Sequence, residues 1–106
     1  MKVLIIGLGS IAHKHIIALR KIEFKVEIFA LRSNRPSSNI DGIINIFSIK
    51  EAPQNLSFII ISNPTFKHYE TINLVLDLGV PLFIEKPPLD NVDHIEKLLK
   101  KIRQTF

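Results

Sequence analysis

The segment KVLIIGLGSIA, residues 2–12, is the most informative part of the chain for its fold, because an apolar run leads directly into two glycines and then into a helix-like sequence. A uniformly apolar strand is typical of a parallel sheet whose two faces are both covered by helices. Gly7 permits a tight turn, Gly9 lets the backbone approach a ligand, and Ala12 allows close packing of the helix against the strand. The start of such a helix offers free N–H groups and a partial positive charge to a phosphate.

This turn predicts a binding site for the pyrophosphate of a dinucleotide. The predicted contacts are Gly7, Gly9, Ser10, Ile11 and Ala12. Similar glycines also occur in tight turns that bind nothing, so a purely structural turn is the alternative interpretation. The position of the motif, after the first strand and before the first helix, favours binding.

Short apolar runs alternate with longer amphipathic stretches along the rest of the chain, which predicts repeated βαβ units. The predicted strands are residues 2–6, 26–31, 43–47, 56–62 and 80–84, and the predicted helices are residues 10–22, 65–78 and 91–106. Gly79 is expected to end the second helix in the left-handed conformation. The expected fold class is α/β, a Rossmann-type doubly wound parallel sheet of strand order 3-2-1-4-5, as one dinucleotide-binding domain over residues 1–106.

The composition, with 46% hydrophobic and 23% charged residues in a chain of 106, is that of one globular domain. The net charge of +4 suits an anionic ligand, but lysines and arginines are scattered until the last helix, which argues against nucleic acid. No metal site is expected, since the chain has no cysteine and His13 and His15 point to different faces of a helix. No apolar run reaches membrane-spanning length, so we expect a cytoplasmic protein that binds no membrane.

The residues after the second predicted strand bear on the choice of nicotinamide cofactor. An NAD site is expected to place a carboxylate about 20 residues beyond the glycines, where it holds the ribose 2′-hydroxyl. This chain has Arg32, Ser33 and Arg35 there instead. Guanidinium groups pair well with phosphate, so these three residues predict contacts to the 2′-phosphate of NADP, with NAD as the second choice. The alternative interpretation is that both arginines are solvated loop residues.

Two further predicted strands end at the same edge of the sheet as the glycine turn. SNP, residues 62–64, begins at the last residue of the fourth strand, and EKP, residues 85–87, follows the fifth. Ligands of open parallel sheets bind outside the carboxyl ends of the strands, where the strand order reverses. A hydride-accepting cofactor and a proton-transferring Lys86 would therefore share one cleft, as a dehydrogenase needs. A solvated lysine is the simpler alternative.

In order and spacing, three motifs resemble the N-terminal NAD(P)-binding domain of the glucose–fructose oxidoreductase / inositol dehydrogenase (Gfo/Idh/MocA) family. They are GLGSIAHKH, SNPTFKH and EKP, residues 7–15, 62–68 and 85–87. The resemblance implies that Lys86 contacts the cofactor and transfers the proton at the substrate hydroxyl, that Glu85 orients it, and that the Lys86–Pro87 peptide is cis. The implied cofactor contacts from the second and third motifs are Ser62, Asn63, Pro64, His68 near the rim of the groove, Glu85, Lys86 and Pro87.

The resemblance implies the cofactor-binding domain of an NAD(P)-dependent oxidoreductase that acts on a hydroxyl or ketone of a sugar, cyclitol or sugar nucleotide. Family members continue into a second α/β domain that holds the substrate, and nothing in these 106 residues matches it. We therefore expect no turnover by this chain alone, and a domain face that is left exposed or covered by a second copy in a homo-oligomer. The alternatives are a non-catalytic nucleotide-binding module or partner subunit, and a basic interaction domain with a vestigial cleft.

Overall fold

Five parallel strands form one sheet in the order β3-β2-β1-β4-β5 in the computed structural model, which describes residues 1–33, 40 and 42–105. The strands are β1 (Lys2–Ile6), β2 (Glu27–Leu31), β3 (Ile43–Ile46), β4 (Phe58–Ile61) and β5 (Leu82–Ile84). Ile6 at the carboxyl end of β1 lies opposite Leu31 of β2 and Ile61 of β4. The predicted Rossmann-type sheet and its strand order are therefore confirmed.

Three α-helices cover the sheet: α1 (Ser10–Ile22), α2 (His68–Val75) and α3 (Val92–Thr105). The predicted helix over residues 65–78 is helical throughout, but its first and last turns are 3-10 turns that flank α2. Gly79 follows with a φ of +69°, the left-handed ending that the sequence predicts.

Both faces of β1 are buried, which explains why its sequence is uniformly apolar. Val3 and Ile5 face α1, and Leu4 and Ile6 face α2 and α3. The cluster beneath α1 consists of Val3, Ile5, Ala12, Ile16, Leu19, Ile28 and Ile60. The cluster on the opposite face consists of Leu4, Ile6, Ile46, Leu56, Ile59, Ile61, Ile72, Val75 and Leu98. The two layers fix the carboxyl ends of β1 and β4 next to one another.

The edge strand β5 is shorter and more exposed than the sequence suggests. It begins only at Leu82, because Pro81 has no N–H to donate, although the carbonyl of Pro81 still accepts from the N–H of Ile59 at 3.0 Å. Burial is expected for Val26, Leu82 and Ile84, but all three are half-buried. Phe83 is 52% exposed on the α1 side, where its ring contacts the edge of the His15 ring.

The last helix is held less closely than its apolar stripe predicts. Its start is capped by Asn91, whose Oδ1 accepts hydrogen bonds from the N–H groups of Asp93 and His94. Of the stripe at Ile95, Leu98, Leu99, Ile102 and Phe106, Leu98 alone is buried among the described side chains, and Phe106 lies outside them. Over the described residues, no helix combines the length and apolarity that a membrane span requires.

Candidate dinucleotide site

The turns after β1 and β4 are in direct contact, and this contact requires the first glycine. Gly7 has a φ of +96°, and a Cβ placed on it would lie 2.4 Å from the backbone nitrogen of Asn63. Ser62 Oγ donates a hydrogen bond to the carbonyl of Gly7 at 2.7 Å, which holds the two turns together. The strand order reverses between these strands, so the crevice at the switch point of the sheet lies here.

The start of α1 is open toward this crevice. Gly9 occupies the N-cap position with extended φ and ψ values of −95° and −169°, and nothing lies within 4 Å of a Cβ placed on it. The N-cap has no side-chain hydrogen bond, and the first turn has no acidic residue. Ser10 and Ile11 are exposed, whereas Ala12 is fully buried against the sheet. This arrangement fits a pyrophosphate, which needs close backbone approach and free N–H groups.

A groove of about 510 Å³ extends from the crevice across the ends of β2 and β3. Its lining consists of Ile6, Gly7, Leu8, Leu31, Arg32, Ser33, Phe47, Ser48, Ile49, Asn63, Lys67 and Leu74. Four of the predicted cofactor contacts, Gly7, Arg32, Ser33 and Asn63, lie together in this lining. Arg35 lies outside the described residues.

Arg32 and Asn63 stand on different walls of the groove. The N–H of Arg32 donates to the carbonyl of Ile46 at 2.8 Å, and its Nη1 lies 3.4 Å from Asn45 Oδ1, so β3 fixes its position. Asn63 donates from Nδ2 to Thr71 Oγ1 at 2.8 Å, while its Oδ1 is buried with no partner among the described residues. A buried acceptor without a donor is unfavourable, and a donor on a bound ligand would satisfy it. The orphaned oxygen therefore fits a polar ligand in the groove.

The sequence interpretation missed several groove residues, above all Phe47, Ser48 and Lys67. Phe47 and Ser48 directly follow β3, and Lys67 lies in the 3-10 turn after β4. These residues could have been predicted from the parallel topology, because the carboxyl ends of all parallel strands, including β3, lie at the same edge of the sheet. Lys67 brings a second cation to the groove, from the turn after β4, whereas Arg32 follows β2.

The EKP segment lies at the end of β5, one strand beyond the groove. The Lys86–Pro87 peptide is cis, as the resemblance implies. Lys86 and Pro87 are exposed, while Glu85 is half-buried and its Oε1 accepts a hydrogen bond from His15 Nε2 on α1. Pro64 is exposed at the start of the 3-10 turn after β4.

His68, expected near the rim of the groove, is not among the residues that line it. Its side chain is only 1% exposed. Its Nε2 lies 2.8 Å from the carbonyl oxygen of Asn63, and its Nδ1 lies 2.9 Å from that of Pro88. With both nitrogens in contact with backbone carbonyls, the ring connects two loops beneath the surface instead of facing a ligand.

Solved structures with the same architecture extend well beyond the length of this chain. The WlbA (WbpB) dehydrogenase from Thermus thermophilus, in complex with NAD and UDP-GlcNAcA, is 19% identical with a TM-score of 0.73, over 99% of this chain and 39% of that chain. The myo-inositol 2-dehydrogenase from Lactobacillus plantarum is 22% identical with a TM-score of 0.77, over 99% and 33%. The UDP-N-acetylglucosamine 3-dehydrogenase GnnA from Acidithiobacillus ferrooxidans is 18% identical with a TM-score of 0.72, over 99% and 35%.

This chain therefore spans little more than a third of the length of these proteins. At such low sequence identities, the similarity shows that the chain shares their fold. No curated protein matches the chain significantly. The family profile described as the Gfo/Idh/MocA oxidoreductase family, NAD-binding Rossmann fold, matches residues 1–105. A match over almost the whole chain decides the assignment: the chain belongs to the Gfo/Idh/MocA oxidoreductase family, as its NAD-binding Rossmann domain.

Proposed function

We propose that this chain is the cofactor half of an oxidoreductase that moves a hydride between a nicotinamide dinucleotide, preferably NADP, and a hydroxyl or ketone of a sugar, cyclitol or sugar nucleotide. The observation that carries the proposal is that three features lie at one edge of the sheet: the open glycine turn, the groove with Arg32 and Asn63, and Lys86. The solved structures named above include an inositol dehydrogenase and two proteins associated with sugar nucleotides, which supports this substrate class.

Each part of the site has a separate role in this proposal. The N–H groups at the start of α1 bind the pyrophosphate, and the groove across β2 and β3 binds the adenosine end. Bound nicotinamide supplies the hydride acceptor or donor. In the oxidation direction the hydride leaves the carbinol carbon, and the amine of Lys86 takes the hydroxyl proton. In the reverse direction the ammonium of Lys86 returns that proton to the carbonyl oxygen.

The preference for NADP rests on the charge of the groove. Among the described residues, no lining side chain is a carboxylate, whereas Arg32, Ser33 and Lys67 supply two cations and a hydroxyl. A carboxylate at the end of β2 would repel a 2′-phosphate, and a guanidinium attracts it. Arg35, two residues beyond Ser33 in the sequence, would add a further guanidinium.

The cofactor preference is tested by measuring NADPH and NADH affinities of the parent chain and of an Arg32→Ala/Arg35→Ala variant. We expect the parent to bind NADPH more tightly, and the variant to lose about tenfold or more for NADPH with little change for NADH, because charged hydrogen bonds to the 2′-phosphate are lost. A Lys100→Ala/Arg103→Ala variant removes two exposed cations from α3 and controls for net charge. Equal losses for both cofactors, or tighter NADH binding by the parent, would refute the preference.

Turnover by this chain alone is not expected. Lys86 is exposed to solvent in the described structure, and water exclusion is part of how such sites work. Incubation with NADPH and a sugar ketone should therefore give no oxidation above the rate without protein. Steady NADPH oxidation that Lys86→Ala abolishes would contradict this expectation.

A further inference from the structure

The four residues after β5, Glu85 to Pro88 (the 85–88 segment), are exposed in the middle and held at both ends. Lys86, Pro87 and Pro88 are all exposed. At the start of the segment, the N–H of Glu85 donates to the carbonyl of Ile61 at 3.0 Å, which continues the pairing of β5 with β4. Beyond that bond, the described contacts of the segment come from two histidines.

The first histidine contact comes from α1, on one face of the sheet. His15 Nε2 donates to Glu85 Oε1, and the side chains are 23% and 27% exposed, so water does not fully screen this contact. The His15 ring also lies edge-on to Phe83, with the ring centroids 5.3 Å apart and the planes at 73°. The ring therefore fixes the carboxylate that directly precedes Lys86.

The second histidine contact comes from the start of α2, on the opposite face. His68 is almost completely buried, and its Nδ1 lies 2.9 Å from the carbonyl oxygen of Pro88. Its Nε2 lies 2.8 Å from the carbonyl oxygen of Asn63, in the turn that touches Gly7. A neutral imidazole carries one N–H, so the ring donates to one of these two carbonyls and contacts the other, and it lies between the far end of the 85–88 segment and the turn that forms the crevice.

We propose that His15 and His68 are positioning residues for Lys86, and this inference rests on the proposed function of Lys86 as the proton-transfer group at the cofactor. A lysine on an exposed segment has a long, flexible side chain, and its amine can be placed only if the backbone that carries it is fixed. His15 fixes the side chain of Glu85 directly before Lys86, and His68 fixes the backbone carbonyl of Pro88 after it, from opposite faces of the sheet. Through its contact with Asn63, His68 also sets the position of the 85–88 segment relative to the wall of the groove.

The structure allows the two links of His68 to be separated by substitution. An asparagine amide reaches about the position of Nδ1, and a glutamine amide reaches about the position of Nε2. His68→Asn should therefore keep the link to Pro88, whereas His68→Gln should break it and keep the link to Asn63. In the same way, His15→Gln keeps a donor for Glu85, and His15→Leu removes it.

The experiment has two parts, each on the full 106-residue chain. In the cofactor-free chain, the NMR resonance of the Lys86 Cε should move in His68→Gln and His15→Leu, and stay near its parental position in His68→Asn and His15→Gln. In NADPH titrations, His68→Gln should lose about fivefold in affinity, the effect of about one hydrogen bond, and this loss should vanish when Lys86→Ala is already present. A purely structural role would give the same loss in both backgrounds.

The outcomes separate this inference from the proposed function. Unchanged Lys86 resonances, or equal losses of affinity with and without Lys86, would overturn the positioning role while leaving cofactor binding intact. A folded parent chain that binds no NADPH would overturn the proposed function, and the NMR comparison would still decide whether the two histidines position Lys86.

Discussion

The two ends of the candidate site are built in different ways. At the turns after β1 and β4, backbone meets backbone: Gly7 packs against Asn63 with no space for a side chain, and Ser62 closes the contact. At the end of β5, the chain is exposed and is held mainly by two imidazole rings. The cofactor end therefore depends on the absence of side chains, and the chemical end depends on side chains from distant elements.

The strands that lead to these two ends also differ in burial. β1 and β4 are covered on both faces, and Leu4, Ile59 and Ile61 are fully buried. β5 is an edge strand with a half-exposed phenylalanine, and parallel sheets normally cover such strands. We expect substitutions to cost much folding stability at the first end and little at the second.

The largest expected effect is that of Gly7→Ala on stability. The new Cβ would meet the Asn63 backbone nitrogen at 2.4 Å, and a φ of +96° is unfavourable for alanine. The sum of steric overlap and backbone strain is about 3 kcal/mol or more in the free energy of unfolding. Urea unfolding of the variant measures this loss.

Gly79→Ala is the matched control, because Gly79 also has a positive φ, +69°, but nothing within 4 Å of its Cβ position. It should lose only about 1 kcal/mol. Similar losses for the two variants would show that the contact between the turns is not close in solution.

A smaller effect, on binding instead of folding, is expected for Gly9→Val. Open space around the Cβ position avoids a steric clash, so the variant should lose only about 1 kcal/mol in the free energy of unfolding, from the lower preference for valine at an N-cap. The isopropyl group would stand where the pyrophosphate must approach, so NADPH and NADH affinities should both fall about 100-fold, as for the loss of two charged hydrogen bonds. Calorimetric titration measures the cofactor affinity, and thermal unfolding of the same variant measures its stability. Unchanged affinity would place the pyrophosphate elsewhere.

The smallest effect is expected for Phe83→Ala at the β5 edge. A fully buried phenylalanine costs about 3–5 kcal/mol when it is truncated to alanine. Phe83 is 52% exposed, and its replacement should cost only about 1 kcal/mol, including the lost contact with His15. Urea unfolding at two protein concentrations provides the check. A loss of 3 kcal/mol, or a loss that depends on concentration, would show that this edge is covered by a second copy in solution.

Local pattern was enough to predict the strands, and the doubly wound fold class that they indicate supplied their order. Short apolar runs, the glycine turn and Gly79 each determine structure within a few residues, so β1, α1 and the parallel topology follow from the sequence. Burial at the edges was overestimated for Leu82, Ile84 and the stripe of α3. An apolar residue is buried only if another element packs on it, and the sequence of one strand or helix does not contain that information.

The position in the groove lining was predictable for Gly7 and Asn63, which lie in motifs, and for Arg32, which directly follows β2. The family resemblance implies His68 at the rim of the groove, yet its contact with Pro88 joins residues 20 apart in the chain. No sequence pattern predicts a contact between a histidine side chain and a backbone carbonyl that is distant in the chain. The same reason explains why the partnership of His15 with Glu85 emerged only from the structure.

The central claim, that the edge containing the glycine turn binds a nicotinamide dinucleotide, is tested most directly by a ¹H–¹⁵N NMR titration of the chain with NADPH. We predict saturable shifts of the amides of Gly9 in the glycine turn and of Arg32, Ser48 and Asn63 in the groove lining, while amides of α3 such as that of Leu98 stay in place. A folded chain with no shifts, or with shifts confined to α3 and the β5 edge, would contradict it.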